Sequence, residues 1–232
     1  MKKLAAVLAL LLLVSGCSAP PVTAEKPPAT APSATSTPTS TPTGEPWVTY
    51  TTPDASTTFD LPADWSVEIT PWPAAAQDDE YWAGIIESNP LSAPSLKVFD
   101  EHGAQRLSYV MYFDGVGGAC VDEFPLYELD TAETSWVDPG QGPVRFVYNA
   151  LETPEGVRAS LGLAARAPAA AGCLVYFITS IPGAEQGVSV ATDMQLSSGA
   201  GISFDSIADA TAYIDTEEYQ SVRRIILSFT FA

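Results

Sequence analysis

Between Trp47 and Ile181 the apolar residues recur mostly at every second position, and that period restricts this chain more than anything else in it. A period of two belongs to β-strands that turn one face to a core. Phe59 and Leu61 lead into Pro62-Ala63-Asp64, a turn, and then Trp65, Val67 and Ile69 alternate with Ser66, Glu68 and Thr70. Leu107, Tyr109, Met111 and Phe113 alternate with Arg106, Ser108, Val110 and Tyr112. Residues 144–151 and 157–163 flank Thr153-Pro154-Glu155-Gly156, which has Pro second and Gly fourth, as a type I turn prefers. Those two runs predict a hairpin.

The run 173–181 is different, because Cys173, Val175 and Phe177 face one way and Leu174, Tyr176 and Ile178 the other. A strand apolar on both faces is expected inside a sheet that is covered on both sides. The C-terminus offers cover. Ile207, Ala210 and Ile214 fall at helical spacing, and Asp215 with Glu218 three residues on predicts a capped second helix. Tyr219, Val222 and Ile226 would line its inner face, and 228–231 returns to a strand. The expected class is therefore α+β, a central antiparallel sheet flanked by helices. One domain over 47–232 accommodates it, with no internal repeat and no second break in composition.

Residues 18–46 cannot belong to that core. They hold eight prolines and eleven Ser or Thr and almost no large apolar side chain, too little burial to offset ordering entropy. The expectation is a disordered tether over 17–46, spanning ~30 Å as a coil and up to ~90 Å when extended. Its Thr-Pro steps are candidate sites for O-linked sugar. Ahead of it, Lys2 and Lys3 precede an eleven-residue apolar run from Leu4 to Val14, too short for a membrane span of ~20 residues.

That run ends in Leu13-Val14-Ser15-Gly16-Cys17, which resembles the lipobox of bacterial lipoproteins. The resemblance implies that 1–16 is a signal peptide and that Cys17 is alkylated by diacylglyceryl and becomes the mature N-terminus, on the outer face of the cell membrane. Two acyl chains give durable anchoring where one is marginal, at ~0.8 kcal/mol per buried CH₂. An ordinary secretory signal with a chance cysteine is the competing reading, and an uncleaved anchor a third.

Removal of Lys2 and Lys3 leaves eight basic residues against 28 acidic ones, a formal charge of −20. Nucleic acid is excluded as a natural partner, and an anionic lipid surface would repel the head. Outside the reducing cytosol, Cys120 and Cys173 are expected to form a disulfide; a metal or redox pair is the alternative, against which stand the lack of a CxxC and the single histidine.

Two further segments look like a known family. Thr58-Phe59-Asp60-Leu61-Pro62-Ala63-Asp64-Trp65-Ser66-Val67 resembles the opening of PsbP-like domains, a strand entering a Leu-Pro turn followed by Trp. Tyr219-Gln-Ser-Val-Arg-Arg-Ile-Ile-Leu-Ser-Phe229 resembles their closing helix and last strand. The resemblance covers some thirty residues at the two ends. It implies an α/β/α sandwich and an accessory or binding role, and it brings no catalytic set.

Chemistry-bearing residues are few. His102, the one histidine, lies in Asp100-Glu101-His102-Gly103, which reads as a hairpin tip; any Ser-His-Asp or Cys-His device would have to use it. There is no Gly-x-Ser-x-Gly, no phosphate loop and no His-Glu-x-x-His. Asp78-Asp79-Glu80 and Asp122-Glu123 lack the alternating spacing of a calcium loop. Trp72, Tyr81 and Trp82 beside acidic residues, with Trp136 joining in space, are the candidate ligand-binding residues, with core packing as the alternative. Ser197-Ser198-Gly199-Ala200-Gly201 reads either as a loop that approaches a ligand by its backbone or as a plain connection. The expected role is a non-enzymatic, lipid-anchored binding protein without cofactor, metal or nucleic acid, meeting an envelope protein or a small envelope ligand. The alternative class is a carboxylate-dependent hydrolase of envelope carbohydrate.

Overall fold

The computed structural model describes residues 46–53, 55, 57–72, 74, 78, 80, 83–84, 95–112, 122–165, 170–180 and 187–231. More than half of that set is strand, and two helices lie toward its end. In chain order the strands are β1 (Trp47–Thr51), β2 (Thr57–Pro62), β3 (Ser66–Thr70), β4 (Ser95–Phe99), β5 (Gln105–Tyr112), β6 (Phe124–Asp138), β7 (Gly142–Thr153) and β8 (Gly156–Ala164). Short pieces follow: β9 (Ala171–Gly172), β10 (Leu174–Tyr176), β11 (Thr179–Ser180), β12 (Gly187–Ala191), β13 (Gln195–Ser197) and β14 (Ile202–Phe204). The chain ends with α1 (Ile207–Ala212), a 3₁₀ turn (Tyr213–Asp215), α2 (Glu217–Ser228) and β15 (Thr230–Phe231).

The main sheet runs β3-β4-β5-β12-β8-β7-β6-β9, with β11 added to β12 and β14 to β8. Each described pairing is antiparallel. The expected hairpin is there, with Thr153 opposite Gly156 and Phe146 opposite Leu163. On one face of this sheet Val144, Phe146, Tyr148 and Ala150 from β7 join Val157, Ala159, Leu161 and Leu163 from β8, with Leu96, Val98, Leu107, Tyr109, Val188 and Val190 from the neighbouring strands. Over that face lie α1, α2 and a second sheet, β1-β2-β15. Phe59 of β2 stacks on Phe229 with centroids 4.4 Å apart and planes 5° from parallel. A residue step along β7 leads to the opposite face, where Val147, Leu151, Ala164, Phe177, Ala191 and Leu196 form a smaller cluster.

Helix α2 forms where its sequence supplies a cap and an apolar stripe. Thr216 is extended, and its hydroxyl accepts from the Tyr219 amide at 3.2 Å. Tyr219, Val222, Ile225 and Ile226 are buried, as a helix spacing of three and four requires. The cap falls one residue after the expected Asp215, because Asp215 is taken up by the 3₁₀ turn. Helix α1 stops short of Ile214, the last residue of the expected helical spacing. Ser206 caps it by accepting from the Asp209 amide, and the 3₁₀ turn begins at Tyr213.

Two expectations need correction. The run 173–181 is not one interior strand. It breaks into β10, which pairs only with β13 in a two-stranded ribbon, and β11, which pairs with β12. Its two-sided apolar character has another cause: Phe177 is fully buried against the second face of the main sheet, while Leu174 and Tyr176 remain half-buried. The longest strand, β6, was not anticipated. The whole is sheet-dominant, with the two short helices described here on a single side of the main sheet. Among the described residues no helix is long and apolar enough to cross a membrane.

Candidate functional site

Most charged side chains of the domain are engaged in holding it together. Asp100, nearly buried, accepts from the His102 and Ala104 amides at 2.9 and 2.8 Å and from Arg106 Nε at 2.7 Å. Burial pushes its carboxyl up, but these donors prevail and hold it below the usual carboxylate range. Arg106 also reaches Glu218 of α2 at 2.7 Å, where Tyr213 donates to the same oxygen at 2.7 Å. Asp130 of β6 accepts from Tyr219 Oη at 2.7 Å and Arg223 Nε at 2.9 Å, and Arg223 lies 5.3 Å from the Phe146 ring centre. Asp138 accepts four hydrogen bonds, from the amides of Gly140, Gln141 and Ser180 and from the Thr179 hydroxyl. Burial again opposes ionisation there and is outweighed, so that carboxyl too sits low.

The sequence candidates fare unevenly. Trp72 is buried at 7 % exposure in the main core. Trp136 is half-buried and meets Phe231 edge-on, with centroids 4.6 Å apart. Packing accounts for the placement of both. Tyr81 and Trp82 lie outside the described residues. Cys17 and Cys120 also lie outside the described residues. Cys173 is buried and its sulfur is in a disulfide. His102 is 79 % exposed at the β4–β5 connection, 3.4 Å from Glu101. Asp78, Glu80, Asp122 and Glu123 are exposed, and no group of three or more metal-ligating side chains occurs among the described residues. Ser197 ends β13 and bridges to Ala200, a plain turn.

One place gathers charge without pairing it. The β7–β8 turn is shaped by Thr153, whose hydroxyl accepts from the Glu155 amide and donates to the Gly156 carbonyl. Gly156 takes φ +121°, and a Cβ there would stand 2.9 Å from the Phe204 carbonyl, so only glycine lets the turn lie against β14. Strand β14 then runs beside β8 with Ser203 opposite Arg158 and Phe204 opposite Val157, and Asp205 leads into α1. Glu155, Val157, Arg158, Ser203, Phe204, Asp205 and Asp209 enclose a groove of about 360 Å³, open on one side. Its apolar floor is held from behind, where Phe204 meets the Tyr213 ring at 5.4 Å.

Arg158 donates to Ser203, and no carboxylate among the described residues forms an ion pair with it. Arg106, Arg145 and Arg223 all have such a partner. Asp209 is turned toward Ser206 at 2.6 Å, whereas Glu155 and Asp205 project from exposed positions. Sequence reading missed this groove because its walls are about fifty residues apart and no motif joins them. The available signal was Arg158 itself, a cation within a strand of an acid-rich chain.

No protein-family model matches the chain, and neither a curated protein nor a solved structure does.

Proposed function

We propose that this protein is a lipid-anchored, extracytoplasmic binding protein of the bacterial envelope, non-enzymatic, with a PsbP-like domain held off the membrane by the 17–46 tether. The observation that carries this reading is the cysteine placed directly after Leu13-Val14-Ser15-Gly16, ahead of a Pro/Thr/Ser-rich stretch and a folded head whose first strand begins at Trp47. The destination of the charged groups adds support. Asp100, Asp130 and Asp138 are held by structural donors, and Trp72 and Trp136 pack in or against the core, which leaves them poorly suited to acid–base or sugar-stacking work. The PsbP-like plan is supported by the two motif segments: 58–67 becomes β2, its turn and the start of β3, and 219–229 contains most of α2. That plan places a further helical layer on the sheet; separately, with Cys17 acylated, the cysteine count leaves Cys120 as the partner of Cys173.

Mass spectrometry of the membrane fraction tests it. A diacylglyceryl adduct on Cys17, release of Cys17→Ala into the medium, and one non-reduced peptide linking Cys120 to Cys173 are expected. A wild-type chain recovered soluble with residues 1–16 attached refutes the anchor.

A further inference from the structure

We infer that the groove between the β7–β8 turn, β14 and α1 is a binding site for a small zwitterion carrying separated ammonium and carboxylate ends, such as a short peptide with free termini. This rests on the reading of the domain as a binding module and gives that module its ligand class. Among the described residues Lys97, Arg158 and Arg224 form no ion pair; Arg224 lies over the Trp47 ring, and of the three Arg158 is the one that lines a groove bearing carboxylates. Arg158 stands on a wall of a groove whose other walls bear Glu155, Asp205 and Asp209, yet none of them closes onto it. A guanidinium presents paired donors that fit a carboxylate in two-pronged fashion.

Ligand charge follows from the lining. A purely anionic ligand would reach Arg158 only by facing three carboxylates. A purely cationic ligand would satisfy the acids while stripping water from Arg158 beside it, a penalty without compensation. A zwitterion meets both demands at once. Phe204, half-buried, gives the groove one apolar side chain between the charged ends. The volume of about 360 Å³ lies at the low end of the ~300–1,000 Å³ usual for small-molecule sites, suited to a dipeptide more than to a sugar chain.

The test uses the full chain in detergent, titrated by calorimetry with alanyl-leucine, its N-acetylated form and its C-amidated form. Saturable binding of the free dipeptide is expected, weakened about tenfold or more when either end is blocked. Arg158→Ala should weaken it by about tenfold, Asp205→Asn by less, and Arg158→Lys should fall between Arg158→Ala and wild type because the charge stays and the fork is lost. A thermal melt of each variant shows whether it is folded; Arg158 is a surface residue, so unchanged melts are expected. No binding at low-millimolar dipeptide, equal binding of the blocked forms, or a folded Arg158→Ala that binds as wild type each overturns the assignment. The Cys17 adduct is read in the same preparation, so failure of the groove with the lipid in place leaves the anchored-protein reading standing.

Discussion

Gly162 of β8 is the most exacting packing position in the domain, and Gly162→Ala is the substitution that tests the described packing. A Cβ there would stand 2.7 Å from Phe177 Cδ1, 2.7 Å from the Ala191 Cβ and 2.9 Å from the Val190 carbonyl oxygen. Each approach is closer than carbon and oxygen atoms tolerate. The phenylalanine ring can tilt, but Ala191 lies directly across the ladder and the Val190 carbonyl is backbone of the paired strand. Overpacking of this kind costs ~1–3 kcal/mol, and the two immovable neighbours put it near the top of that range. Against it, replacing glycine restricts the unfolded chain and returns ~0.4–1 kcal/mol. The net expectation is destabilisation by about 2 kcal/mol, or roughly 4–8 °C in melting temperature for a chain of this size. Circular dichroism melts, with the disulfide intact, measure it. Adding Ala191→Gly removes one of the three contacts, so the pair should couple, recovering about 1 kcal/mol. A Gly162→Ala chain that melts at or above wild type, or an uncoupled pair, refutes the close approach of Phe177 and β12 to β8.

Two other outcomes follow from the buried carboxylates. Because Asp138 sits below its unfolded value near ~3.9, its contribution is complete above about pH 4 and drains away as pH falls through the folded value. Urea midpoints of wild type and Asp138→Asn should therefore differ at neutral pH and draw together as pH falls below the unfolded value, and parallel curves across that descent would contradict it. Tyr219→Phe removes a 2.7 Å hydrogen bond to the Asp130 side chain, worth about 1.5 kcal/mol, so the urea midpoint should drop with the slope unchanged; an unmoved midpoint would show that bond contributes nothing.

Periodicity made much of the main sheet legible. The β7–β8 hairpin announced itself because both runs are regular and the intervening Thr153-Pro154-Glu155-Gly156 has turn chemistry of its own. Strand β6 hid because its pairing slips between Glu128 and Asp130 and again between Glu133 and Val137. The first slip inserts one extra residue and moves the buried side chains to the other face, so Leu126 faces the smaller cluster while Ala132 faces the main core; the second inserts two and leaves the face unchanged. The 173–181 run misled for the opposite reason: a ribbon laid over the sheet by Phe177 is as apolar as a strand within it. The aromatic candidates drew attention through composition, while the groove residues drew none, since the groove is assembled from segments about fifty residues apart and shows only in the folded chain.

Helix α2 and the two-residue strand after it have a consequence for how the molecule is made. Ser228 accepts from the Asp60 amide 168 positions earlier, Thr58 and Thr230 share a hydroxyl bond across 172, and Arg224 lies 3.8 Å above the Trp47 ring. Strand β2 is thus latched by a segment synthesised about 170 positions after it. Until it arrives, Phe59 and Leu61 have no lid, and contacts of such long reach form slowly. Under the proposed export, that strand stays unlatched until the later segment has followed it across, the open state that translocation requires.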